Sequence, residues 1–155
     1  MRFFHWDITP DTASTIAAYA AAPALDRNCC NACATWLQAV TDHALPTPIL
    51  DFMTAVGISP DKPFEVWGVP DGGFLAGWFL LVGTHDSPPW NGEGRDAVAE
   101  PTPGFRCWLN KGPHTSPGVA FAGKPLVEFE FEWESRDVIQ PLERKAWAGR
   151  SGRDA

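Results

Sequence analysis

The chain has 155 residues with a net charge of −7, and 45% of its residues are hydrophobic. This length suits one domain with a real core, and the balance of apolar and charged residues excludes a disordered chain. The acidic charge argues against nucleic-acid binding, which depends on basic contacts with phosphates, and an anionic membrane surface would also repel the protein. We expect a single domain over residues 1–149 and a frayed tail over residues 150–155.

No apolar run is long enough to span a bilayer. Asp7 interrupts the start of the chain too early for the pattern of a signal peptide. These features predict a cytoplasmic protein without membrane contact, in which the four cysteines start reduced.

The first half of the chain predicts one strand and three helices. The strand covers residues 3–8, and Thr9 with Pro10 resembles a helix start. We expect helices over about residues 10–22, 29–44 and 47–56, the second with Asn28 as its cap and the third ended by Gly57.

The second half predicts strands. Residues 64–69 and 74–83 flank the turn at residues 70–73, and the continuous apolar run of the second indicates a central strand covered on both faces. A long loop over residues 84–104 precedes a strand at 105–110. The final strand, residues 126–134, alternates between apolar residues and glutamates.

This segregation of helices and strands predicts an α+β fold. The sheet should be mostly antiparallel with about five strands, and the three N-terminal helices should pack on one of its faces.

Three segments resemble a bacterial family of small domains of uncharacterised activity. They are the Cys-x-x-Cys of Cys30–Cys33, the Gly-Ile-x-Pro-x-Lys-Pro-x-Glu-Val pattern from Gly57 to Val66, and the Gly-Trp-x-x-x-Val-Gly strand from Gly77 to Gly83. The resemblance covers roughly residues 29–133. It implies a shared fold but no reaction.

The cysteines allow three interpretations. They can be small buried apolar residues. Cys29, Cys30, Cys33 and Cys107 can form a zinc site, although Cys-x-x-Cys supplies only half of a tetrahedral ligand set. Cys30 and Cys33 can form a redox pair, because a helix N-terminus favours the thiolate.

Glu128, Glu130, Glu132 and Glu134 lie on one face of the final strand. In one interpretation they are solvated and paired with a base such as Arg106 on a neighbouring strand. In the other they form a docking face for a basic protein, with Trp90 and Trp108 as anchoring contacts.

The chain carries no Gly-x-Ser-x-Gly motif, phosphate loop or dinucleotide fingerprint, and its histidines form no metal-binding pair. The leading hypothesis is therefore a non-enzymatic binding protein of the immunity or inhibitor type that masks a basic partner. The alternatives are a zinc or thiol-redox protein built on the cysteines, and a small-molecule binder with a Trp-lined pocket beside the loop at 84–104.

Overall fold

The computed structural model describes residues 1–86, 98–113 and 115–151, with side chains through residue 148. The strands in these ranges are β1 (Arg2–Phe3), β2 (Trp6–Pro10), β3 (Glu65–Val69), β4 (Phe74–His85), β5 (Ala99–Thr102), β6 (Phe105–Lys111) and β7 (Leu126–Glu134). The helices are α1 (Thr12–Ala21), α2 (Asn31–Thr41), α3 (Thr47–Val56), α4 (Gly118–Phe121) and α5 (Arg136–Ser151).

The strands form one antiparallel sheet in the order β1-β2-β4-β7-β6-β5, and β3 pairs with the first half of β4. The predicted α+β class with a mostly antiparallel sheet is confirmed, but the sheet has seven strands rather than five. One extra strand arises because Phe4 adopts a positive φ of 52°, which folds the predicted first strand into a β1–β2 hairpin. The other is β5, which lies inside the predicted loop.

The first face of the sheet is covered by α2 and α3. Val127, Phe129, Phe131 and Trp133 of β7 all point to this face and are buried. Trp36 of α2 stacks on Phe131 with ring centroids 4.6 Å apart, and Phe52 of α3 meets Phe129 at 5.1 Å. This aromatic layer is the core of the molecule, as the alternation of β7 predicts.

Helix α1 lies at an edge of β4 instead. Along that edge β3 pairs with residues 74–78 and β2 with residues 83–85, which leaves a gap between them. The Tyr19 hydroxyl fills the gap: it donates to the Leu80 carbonyl at 2.8 Å and accepts from the Leu80 amide at 3.2 Å. Thr15 Oγ1 accepts from the Val82 amide at 3.0 Å. The prediction that all three N-terminal helices share one face is therefore wrong for α1.

The sequence did not predict α5. Its buried residues Ile139, Leu142 and Ala146 recur at helical spacing, and the helix packs against α2. Pro141 lies inside the helix and most of the other residues are polar, which weakens the sequence signal that this spacing gives. The helix continues through Ser151, and residues 152–155 of the predicted tail lie outside the described residues.

Of the three helix ends predicted from the sequence, the structure has one at the predicted residue. Gly57 has a φ of +83° and closes α3, as predicted. The cap of α1 is Asp11 rather than Thr9, because Thr9 is held in β2 opposite Thr84. The cap of α2 is Cys30 rather than Asn28. No helix within the described ranges is both long and apolar enough to cross a membrane.

Candidate functional site

The glutamates of β7 lie on the second face of the sheet, together with side chains of three other strands. Residues directly opposite each other in antiparallel strands point to the same side. The pairing of β3, β4, β7 and β6 therefore makes three rows on this face: Glu65, Trp78, Glu130 and Trp108; Trp67, Ala76, Glu132 and Arg106; and Val69, Phe74 and Glu134.

One end of this second face is covered. Glu128, which pairs with Leu80 and Asn110, is only 1% exposed, and Trp108 is also buried. Glu130 is half-buried and accepts a hydrogen bond from the side-chain amide of Asn110. The expectation of a glutamate row lying wholly in solvent is therefore wrong at this end, and neither Glu128 nor Trp108 is placed to contact a partner.

The other end of the face is open. Trp67 is 43% exposed and Val69 is 58% exposed, both on the edge strand β3. Glu65 beside them is exposed, as is the Glu134 side chain at 61%, while that of Glu132 is 34% exposed. We call Glu65, Trp67, Val69, Glu132 and Glu134 the acidic-aromatic patch.

The patch spans β3, β4 and β7. Since neighbouring strands lie about 4.8 Å apart, Trp67 and Glu132 are roughly 10 Å from each other across β4. Trp67 and Val69 are members of the patch that were not predicted from the sequence. The alternation of Glu65, Val66 and Trp67 nevertheless carries the signal, because Val66 is buried and its two neighbours are exposed. Trp90, the other predicted anchor, lies outside the described residues.

Arg106, which the sequence indicated as a partner of the glutamates, lies within reach of the patch. Its guanidinium lies 2.9 Å from a Glu132 carboxylate oxygen and 3.1 Å from one of Glu134. Glu65 accepts a hydrogen bond of 3.3 Å from the Trp78 indole. One guanidinium therefore faces the two carboxylates of Glu132 and Glu134. Glu65 adds a third carboxylate to the patch, so the patch keeps negative charge.

A second candidate site is the cysteine cluster at the start of α2. Cys30 caps the helix, and its sulfur accepts a hydrogen bond of 3.2 Å from the Cys33 amide. The two sulfurs lie 2.7 Å apart. Cys29 is exposed, Cys30 is partly buried and Cys33 is buried. Burial, followed by the nearby Cys30 and Cys29 sulfurs, raises the pKa of Cys33 to about 12.

Cys107 lies elsewhere, on β6 opposite Phe131, where it is fully buried on the first face. Burial raises the pKa of its thiol to about 12. Among the described residues, no three His, Cys, Asp or Glu side chains are placed to hold one metal ion. The structure thus brings Cys30 and Cys33 together but gives no support to a zinc site made of Cys29, Cys30, Cys33 and Cys107.

The predicted Trp-lined pocket falls largely on residues 87–97 of the loop, which lie outside the described residues. A cleft of about 390 Å³ elsewhere runs between the end of α1, residues 62–64 and α4. Its lining is mainly alanine, proline and Phe64 and Phe121, without tryptophan. Lys62 at its rim is already engaged, because its ammonium donates to the Tyr19 and Ala22 carbonyls at the end of α1.

The predicted family resemblance concerns segments that serve different structural roles: Cys30 caps α2, Gly57 closes α3, and Gly77 lies in β4. No family model, curated protein or solved structure matches this chain, so the resemblance stays a prediction.

Proposed function

We propose that this chain is a non-enzymatic binding protein that masks a basic protein partner through the acidic-aromatic patch. The observation that carries the proposal is the exposed Trp67, which lies beside carboxylates on an open sheet face. Tryptophan is the residue type most enriched among the contacts that dominate binding energy, and carboxylates complement a lysine- or arginine-rich surface.

The two parts of the patch have separate roles. Trp67 and Val69 supply apolar area that a partner removes from water, which holds the complex together. Glu134, Glu132 and Glu65 attract a basic surface from a distance, which speeds encounter. Glu132 and Glu134 share Arg106, so a lysine or arginine of the partner can pair with one carboxylate while Arg106 keeps the other.

A finer version of the proposal is an immunity or inhibitor protein that covers a basic toxin. Its support is the small size of the chain, its net charge of −7 and the lack of a recognised catalytic motif in the sequence. Such a partner would carry its basic residues at a functional surface, so that covering them blocks activity.

The test begins with capture of partners from the native host by the tagged full-length chain, and identification by mass spectrometry. Association of the purified partner is then measured across a series of ionic strengths. We expect Glu134→Gln to slow association and flatten its salt dependence. We expect Trp67→Ala to speed dissociation and to weaken binding by about 2 kcal/mol or more.

The matched control is Asp51→Asn, which removes the same charge from an exposed position on α3. It should leave both rate constants at their wild-type values. The proposal fails if the captured partner is acidic, or if a basic partner binds the Trp67 and Glu134 variants as it binds the control.

A further inference from the structure

We propose that Cys30 and Cys33 are a redox-active dithiol that forms a reversible disulfide by exchange with a small disulfide of the glutathione class. This site is separate from the acidic-aromatic patch, which lies on the strands of the second sheet face. It gives the protein a chemistry that masking a basic partner does not require.

The first support is the approach of the two sulfurs. They lie 2.7 Å apart, whereas a disulfide bond is about 2.05 Å long, so bond formation needs a displacement of about 0.7 Å. Cys30 is the cap residue and Cys33 lies in the first turn, so one short helical segment holds both side chains on the same side.

The second support is the difference in environment between the two thiols. Cys30 is partly exposed, and the Cys33 amide donates a hydrogen bond of 3.2 Å to its sulfur at the start of α2. Cys33 is buried and its sulfur faces Cys30. Cys30 is therefore the thiol that meets an incoming disulfide, and Cys33 is the one that completes the internal bond.

The exchange proceeds in two steps. The Cys30 thiolate attacks one sulfur of glutathione disulfide, forms a mixed disulfide and releases one glutathione thiolate. That thiolate takes up the proton that Cys30 released. The Cys33 sulfur then attacks the Cys30 sulfur and expels the second glutathione, which takes the proton that Cys33 loses as the new bond forms. The two cysteines are oxidised, the glutathione disulfide is reduced to two glutathione molecules, and a thiol reductant reverses both steps.

Cys29 is the competing thiol. It is exposed and adjacent to Cys30, and its sulfur is close enough to raise the pKa of Cys33. A disulfide from Cys29, in place of Cys30, is therefore the main alternative product, and the test separates the two.

The full-length protein is equilibrated with mixtures of reduced and oxidised glutathione, quenched with acid and alkylated, and its peptides are mapped by mass spectrometry. We expect the wild type and Cys29→Ser to lose alkylation at Cys30 and Cys33 together, and to regain it with dithiothreitol. Cys33→Ser should stop at a mixed disulfide of glutathione on Cys30. Cys30→Ser should form neither product, and serine keeps the helix cap, so its fold serves as a control by circular dichroism.

The proposal is overturned if Cys30 and Cys33 both stay alkylatable in the most oxidising mixture. It is equally overturned if the mapped bond joins Cys29 to Cys33 or to Cys30, or if Cys33→Ser carries glutathione on Cys29 alone. Binding of the basic partner by Cys30→Ser should equal that of the wild type. This last measurement keeps the dithiol and the docking surface distinguishable.

Discussion

Tyr19, the single tyrosine of the chain, makes the hydrogen bonds that a neighbouring strand would otherwise make. Its hydroxyl takes both hydrogen bonds of Leu80, at a position where neither β2 nor β3 reaches β4. An unpaired buried amide or carbonyl costs free energy, so this phenol is needed for the central strand to stay buried. Burial also raises the pKa of Tyr19 far above its usual value, which keeps it as the donor and acceptor that the strand requires.

We therefore expect Tyr19→Phe to lower the free energy of unfolding by roughly 1–3 kcal/mol, because both Leu80 groups lose their partner while the ring remains. Urea denaturation followed by tryptophan fluorescence measures this. The control is Thr41→Val, which removes an exposed hydroxyl bonded to the Leu37 carbonyl and should change stability by no more than about 0.5 kcal/mol. Equal effects of the two variants would refute the role given to Tyr19.

At the scale of elements, β7 has a core face and a second face that opens to solvent at its end. Phe131 packs against Trp36, Phe79 and Phe105, with ring centroids 4.6, 6.1 and 5.6 Å away. On the other face Glu134 is mostly in solvent and shares Arg106 with Glu132. Two positions of one strand, three residues apart, thus lie in the centre of the core and on the open surface.

Phe131→Ala should lower the free energy of unfolding by about 3–5 kcal/mol, because it leaves a cavity among three aromatic side chains. Glu134→Gln, on the same strand, should change it by no more than about 0.5 kcal/mol, since exposed ion pairs contribute little. Guanidinium denaturation of both variants makes the comparison. A large loss of unfolding free energy in Glu134→Gln would mean that the fold depends on the charges of the patch.

For the molecule as a whole, buried thiols and a buried phenol make the free energy of unfolding fall at alkaline pH. Burial raises the pKa of Cys107 from 9.0 to about 12, and the pKa values of Cys33 and Tyr19 are also raised. Each group is neutral in both states below its unfolded pKa. Above that value the unfolded chain releases the proton first, so stability is fully present below about pH 9 and falls as the pH rises toward 12.

Cys107→Ala should make this fall less steep, by up to about 1.36 kcal/mol for each pH unit, which is the contribution of one titrating group. The measurement is the free energy of unfolding in urea between pH 8 and about pH 11, under reducing conditions. Leu109→Ala is the control, because it leaves a cavity on the same strand without removing a titrating group. An unchanged slope in Cys107→Ala would show that its thiol ionises while the protein is folded.

Features that depend on local periodicity and backbone conformation could be predicted from the amino-acid sequence. The alternation of β7 predicts that Phe129 and Phe131 form core, and the turn before Phe74 predicts the β3–β4 hairpin. Gly57 predicts the end of α3, because the left-handed conformation there favours glycine. Each of these signals is complete within about ten residues of the chain.

Which members of a sequence pattern are buried depends on the packing of the whole fold. Glu128 and Glu134 look equivalent in sequence, yet one is buried opposite Leu80 and Asn110 and the other is open at the end of the sheet. The insertion of Tyr19 beside β4 and the packing of α5 despite Pro141 likewise depend on partners distant in sequence. Burial is set by what lies across the interface, and a period of two or 3.6 residues carries no information about that neighbour.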